Sequence, residues 1–218
     1  MAQDKIIPAT PSEEFYSVDE DQGDVFTEDD PMALFREWFV LASDREINDP
    51  NAMSLATVDA TGLPDVRVVL MKDIDDHGVS FFTNSSSAKG RQIGANSWGA
   101  LAFHWKSIRR QVRFRGEIEE VTAAEADDYF GKRARGAQIG AWASNQSAAM
   151  PSRASLARSV TATEERFNDG AVPRPPHWTG YRLVPSHIEF WVNRPYRLHD
   201  RKQFTRIGNG WETAWLFP

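Results

Sequence analysis

The chain contains no cysteine. That excludes disulfides, thiolate metal sites and cysteine nucleophiles, although it does not identify a compartment. No apolar run approaches the ~20 residues needed to cross a bilayer. The first residues lack a basic start followed by an apolar stretch, so no secretory signal is expected and a cytoplasmic protein is the default. No GxSxG elbow, P-loop or GxGxxG is present, which removes the commonest local signals of hydrolases and nucleotide folds. The five histidines, His77, His104, His177, His187 and His199, show neither HxxxH nor HxH spacing, so no metal site is expected. Excess positive charge is missing as well: the net charge is −6. Residues 1–30 hold ten Asp or Glu against Lys5, leaving −6 + 9 = +3 for the other 188 residues. A mildly basic body suits a small phosphorylated ligand and does not suit nucleic acid as a main partner.

Aromatic side chains are plentiful, with eight Trp and thirteen Phe, enough for flat surfaces in a core, an interface or a ring-binding site. The 218 residues can bury a sizeable core. Residues 1–29 are acidic and without sustained periodicity, and read as a flexible arm in which Phe15-Tyr16 and Val25-Phe26 could dock locally. Residues 30–218 form the folded domain. Asp30 and Pro31 supply an N-cap and first helical residue, and Leu34, Phe35, Trp38 and Leu41 give one buried helical face.

From Ala52 the period falls to two. Strands are expected over 53–59, 66–74, 79–83, 100–106 and 111–121, with a short helix over 87–96. Short strands with antiparallel turns suggest a barrel or sandwich more than a parallel α/β sheet. Thr122 to Glu125 is a capping box opening a helix to about Lys132, and helices at 138–143 and 152–167 complete a helical insert spanning about 122–168. The end of the chain reads as strands over 180–183, 187–192, 197–207 and 211–217.

Several basic and polar groups invite a ligand. In a strand over 197–207, alternation places Arg197, His199 and Arg201 on one face. Like charges so close call for an anion or an electron-rich ring opposite; the bland alternative is a solvated face. Arg67 and Lys72 have opposite strand parity, so either only one binds, or a bulge or subunit boundary brings both to one site. Lys89 lies near a helix N-terminus, a favourable place for phosphate, but taken alone it reads as a solvated lysine. Gln111, Arg113 and Arg115 share a strand face. Gln146-Ser147 sit in a polar loop, ready to bind or merely to cap. Tyr129 and Arg133 are four apart, either a phosphate clamp or an ordinary surface pair.

The run Glu189-Phe190-Trp191 with Arg197-Leu198-His199-Asp200-Arg201 resembles the C-terminal signature of the pyridoxamine 5'-phosphate oxidase family. Arg67 to Lys72, Thr83-Asn84 with Lys89, Arg110-Gln111-Val112, Ile139 to Ser144 and Gln146-Ser147 agree with it, from about Pro31 to Pro218. The resemblance implies a mainly β, α+β fold: a Greek-key split antiparallel β-barrel that binds FMN, with a small helical subdomain. It implies a homodimeric oxidase that converts pyridoxamine or pyridoxine 5'-phosphate to pyridoxal 5'-phosphate, using O2 and producing hydrogen peroxide. The implied FMN contacts are Arg67, Lys72, Phe82, Thr83, Lys89, Gln111, Gln146, Ser147, Trp191 and Arg201. The implied substrate contacts are Lys72, Tyr129, Arg133, Arg197 and His199, with Arg197 and His199 holding the pyridine ring at the flavin. No metal, nucleic acid or membrane partner is implied. Three departures stand out: Ala137 where the family usually has serine, Trp215 in place of a C-terminal arginine, and an acidic arm without the family's basic-aromatic element. The alternatives are a related oxidase of another ring substrate, of the phenazine-pathway type, or a non-catalytic flavin or pyridoxal phosphate carrier.

Overall fold

A computed structural model describes residues 22–218. Within the proposed arm, residues 1–21, including Phe15-Tyr16, lie outside the described residues. Residues 22–29 form neither helix nor strand, and Val25 is buried against the first helix, where its carbonyl accepts a hydrogen bond from Trp38 Nε1 at 3.0 Å. That helix, α1 (Pro31–Arg45), starts as its sequence dictates, with the Asp30 side chain accepting from the Ala33 N–H at 2.8 Å. Leu34, Phe35, Trp38 and Ala42 fall on one face at helical spacing and are fully buried. Each large apolar side chain so buried contributes roughly 1.5–3 kcal/mol, far more than local propensity differences.

Among the described residues the strands form one nine-stranded antiparallel sheet: β1 (Ala52–Val58), β2 (Pro64–Leu70), β3 (Asp73–Ile74), β4 (Val79–Asn84), β5 (Trp98–Trp105), β6 (Arg110–Glu120), β7 (Trp178–Val192), β8 (Asp200–Ile207) and β9 (Gly210–Trp215). Their order is β2-β1-β5-β6-β7-β4-β3, with β8 and β9 continuing from β7. Alternation in β1 and β6 turns one face inward, burying Leu55 and Phe114 in a core with Phe103 and Phe190. The α1 rings close this core: Phe35 packs 5.0 Å from both Phe103 and Phe114, and Trp38 packs 5.0 Å edge-on to Phe190. This is the expected mainly antiparallel β architecture with helical additions. The β8–β9 turn is Gly208-Asn209, with Gly208 at φ +57° in the position where a II′ hairpin wants glycine.

Strand β7 is the frame of the molecule. Its first half pairs with β4, its second half with β8, and nearly all of it with β6. The two separate strands expected over 180–183 and 187–192 are therefore one. Pro185 does not break it, because the register against β6 shifts between Arg115 and Gly116 and the irregularity absorbs the proline. Gly116 is needed there, since a Cβ would lie 1.9 Å from the Val184 carbonyl oxygen.

Helix α2 (Ala88–Ala95) is capped by Ser87, and α3 (Ala123–Gly131) opens with the expected Thr122–Glu125 capping box. With α4 (Arg135–Ala143) and α5 (Arg153–Phe167), α3 covers a second apolar cluster of Phe130, Ile139, Val172 and Trp178. Hydrogen bonds from Thr122 and Arg182 hold the Glu125 carboxyl down at about 2, against an ordinary 4.5. A depressed carboxylate stabilises the fold above its unfolded pKa, and that contribution is lost as pH falls from 4.5 towards about 2. Thermal melts of wild type and Glu125→Gln should therefore differ most near neutrality and converge over that acid range. A gap in Tm that stays constant on acidification would contradict the assignment.

Candidate active site

Strand β2 ends at Leu70, and the parity problem of Arg67 and Lys72 ends with it. The Met71 N–H donates to the Asn51 carbonyl, and the Lys72 N–H turns to the Ser80 carbonyl at 2.9 Å. The chain thus passes from pairing with β1 to pairing beside β4. This change of pairing brings Arg67 and Lys72 together within the one chain, where both line a cavity of about 520 Å³. Phe82 and Thr83 of β4, Lys89 of α2, Tyr129, Arg133, Ala137, Gln146 and Trp178 also line it. The lining brings together four cations and, among the described residues, no carboxylate.

Arg67 is held firmly. It donates to Thr57 Oγ1 at 2.5 Å and Gln92 Oε1 at 2.9 Å, and pairs with Asp65 at 2.5 Å. Lys89 is 9% exposed, with Nζ 3.4 Å from Thr83 Oγ1. Burial first, and then the Arg67 charge, press its ammonium below the usual lysine range. Thr83 Oγ1 donates in turn to Gln146 Oε1 at 3.1 Å. The far wall is aromatic: Phe82 stacks on Tyr129 at 4.1 Å and on Trp178 at 5.3 Å, and the Arg133 guanidinium lies 4.8 Å over Trp178. Tyr129 and Arg133 do converge, but not as neighbours on a helix. α3 ends at Gly131, and Arg133 is set by its aromatic contacts.

The other expected residues lie at the opposite end of β7. Gln111 pairs with Trp191, and Trp191 with Arg201, in one line across β6, β7 and β8. The strand expected over 197–207 begins only at Asp200. Pro195–Arg197 is a 3-10 turn in which Tyr196 and Arg197 both have left-handed backbones, at φ 57° and 63°. Arg197, His199 and Arg201 therefore do not share a regular strand face: Pro195 starts a turn, and alternation does not extend through it. The counter-groups asked of that face are nevertheless present. The Trp191 ring lies 4.5 Å from the His199 ring, and Arg201 Nε donates to Glu189 Oε1 at 2.9 Å. Burial would raise the Glu189 carboxyl, but hydrogen bonds from Arg201 and Arg113 outweigh it and hold it below the usual range. Burial and then the Arg197 charge hold His199 below its ordinary value.

Ser147, at φ 70°, borders a different cavity of about 400 Å³ in the loop before α5, which shares Gln146 with the first. The sequence reading missed Trp178, which lies under Arg133, and Gln92, which accepts from Arg67 and donates to Asp65 at 3.1 Å. Gln92 gives no local signal, because it stands twenty-five residues from the arginine it orients.

Residues 42–167 match the family described as Pyridoxamine 5'-phosphate oxidase, and residues 178–218 match the Pyridoxine 5'-phosphate oxidase C-terminal dimerisation region. The chain is 52% identical over 222 residues to the pyridoxine/pyridoxamine 5'-phosphate oxidase of Maricaulis maris (strain MCS10), covering 100% of both. It is 55% identical to that of Azorhizobium caulinodans, covering 90% of this chain and 93% of the relative. The crystal structure of PhzG from Burkholderia lata 383 in complex with tetrahydrophenazine-1-carboxylic acid superposes with a TM-score of 0.85 at 32% identity, covering 93% of this chain and 100% of that one. The cationic, aromatic-walled cavity thus belongs to an oxidoreductase, and the chain is a member of the pyridoxamine 5'-phosphate oxidase family.

Proposed function

We propose that this chain is an FMN-dependent oxidase that converts pyridoxamine or pyridoxine 5'-phosphate to pyridoxal 5'-phosphate. The observation that carries the reading is the cavity where Arg67, Lys72, Lys89 and Arg133 converge beside stacked rings. Such a donor set fits the phosphate and flat ring of FMN. Bound flavin supplies the two-electron acceptor, and O2 takes the electrons on as hydrogen peroxide. The amine reaction consumes O2 and water and releases ammonia with the aldehyde. The alcohol reaction consumes O2 alone.

Arg67 and Lys89 bind the flavin phosphate, with Thr83, Gln146 and Ser147 as hydrogen-bonding partners. Gln111, Trp191 and Arg201 meet the rest of the cofactor, and Phe82 flanks it. Lys72, Tyr129 and Arg133 hold the substrate phosphate, while Arg197 and His199 orient its ring. These groups divide into two sets along β7. Phe82 pairs with Gly180 and Gln111 with Trp191, 191 − 180 = 11 residues apart. That is about 36 Å of strand contour. One mononucleotide meets both sets most simply when the second set comes from another copy, so the active form is a homodimer. Exposed Val66 and Val68 on edge strand β2 supply apolar surface for such an assembly.

Ala137 in the cavity wall favours a second reading, oxidation of another ring substrate, because it cannot donate a hydroxyl to a phosphate. Anaerobic spectroscopy tests both. Purified protein should be yellow, release FMN on denaturation, and bleach on addition of pyridoxamine 5'-phosphate. Bleaching only by a reduced phenazine carboxylate would favour the second reading. Colourless protein that cannot be reconstituted with FMN would defeat the proposal.

A further inference from the structure

Arg194 lies outside the constellation described above, yet it connects three parts of the chain that reach the site's far end. Its Nη2 donates to the Gly23 carbonyl at 2.7 Å, and its Nε to Asp200 Oδ2 at 2.6 Å. Its backbone N–H donates to His199 Nδ1 at 3.2 Å. Nearby, Arg110 Nε donates to Gln22 Oε1 at 3.1 Å, so residues 22–23 are tied down twice. Val25 is buried two residues later and Phe26 packs 5.0 Å edge-on to Trp215, which fixes the path of that segment.

A backbone N–H can only donate, so the His199 nitrogen facing it must be the unprotonated one. The neutral ring then carries its proton on Nε2, the nitrogen not tied to the backbone. The turn that presents the ring contains two consecutive left-handed non-glycine residues, Tyr196 and Arg197. Such a backbone persists only where its surroundings over-determine it. The Arg194 side chain reaches from the residue before that turn to Asp200 after it, and ties both to Gly23 outside it.

We propose that Arg194 is a positioning residue: it straps residues 22–23 to the Pro195–Asp200 turn and holds His199 as a donor at Nε2. Its importance for turnover rests on the proposed role of His199 in orienting the substrate ring, but the tautomer itself does not. Among the described residues, the charged groups around the ring include Arg197, Asp200 and Arg194 itself, and the Trp191 ring covers one side.

The test uses the full-length protein with 15N-labelled histidine, of which there are five to resolve. In wild type, the His199 nitrogens should read as an unprotonated Nδ1 and a protonated Nε2 without any substrate present. Arg194→Ala keeps the backbone N–H but loses the guanidinium that fixes the turn against Asp200 and Gly23, so the N–H should no longer be held on Nδ1 and this signature should give way to a mixture of tautomers. Flavin affinity should stay within about twofold, and flavin reduction by pyridoxamine 5'-phosphate should slow about tenfold, as for a lost hydrogen-bonded orientation. Arg194→Lys, which can reach one acceptor but not both, should fall between the two and serves if the alanine variant does not fold. A wild-type protein protonated on Nδ1, or variants with an unchanged His199 signature, would overturn the proposal. If the tautomer is as stated but wild type does not oxidise pyridoxamine 5'-phosphate, the substrate reading fails and the strap stands.

Discussion

Arg197→Met should slow anaerobic reduction of the bound flavin by pyridoxamine 5'-phosphate roughly tenfold to over a hundredfold, with the flavin retained. The size follows from losing one charge-assisted contact in a closed site, about 1.5–3 kcal/mol if it acts in the transition state. Methionine keeps an unbranched apolar stem, so the packing loss is small. Arg197 is also one of the two influences, after burial, that hold His199 below its ordinary value. Its removal should therefore raise the His199 pKa and move the pH dependence of reduction upwards. His199→Asn should act more mildly, since an amide replaces one hydrogen bond but not a titrating ring. Stopped-flow reduction over a pH series measures both. Wild-type rates and an unmoved profile in Arg197→Met would mean that the turn is only a solvated edge.

Lys89→Met should act in opposite directions on the empty and the loaded protein. Without an anion, the Lys89 ammonium is buried beside the Arg67 guanidinium, and both burial and that neighbour oppose its charge. Replacing it should raise the Tm of the flavin-free protein. With FMN present the same charge faces a phosphate, and its loss should weaken binding about tenfold to over a hundredfold. Thermal melts of the stripped protein and a flavin titration give the two signs. A lower Tm with unchanged Kd would assign Lys89 to the fold and remove it from the cofactor site.

The elements were legible where their signals are local. Asp30-Pro31 and Thr122 to Glu125 act within one turn of backbone, and both cap helices as read. Two-residue alternation marked β1 and β6 because one face of each is buried. The signals failed where a distant partner decides. The sequence reads as two strands, 180–183 and 187–192, with Pro185 between them, and the register shift beside Gly116 lets β7 run through it. Arg197 to Arg201 reads as continuous alternation, but Tyr196 and Arg197 are left-handed and the strand starts late. The family resemblance alone put Arg67 and Lys72 at one site; from the residues themselves, their gathering was legible only as a conflict of parity. Its resolution, a change of pairing partner after Leu70, is written in contacts with Asn51 and Ser80. Gln92, Trp178 and Arg194 act through residues far from them or through stacking, and no spacing announces them.

The division of site residues between the two ends of β7 has a genetic consequence. On the homodimeric reading, each chain lends its cavity to one site and its Arg197–His199 turn to the other. A chain damaged in its cavity still carries a sound turn, and a chain damaged in its turn still carries a sound cavity. Co-expressed, two such defective alleles would assemble mixed pairs in which one site collects both faults and the other collects none. Random pairing would leave about a quarter of all sites intact. Two recessive lesions in one gene would thus complement each other, as lesions in separate genes do.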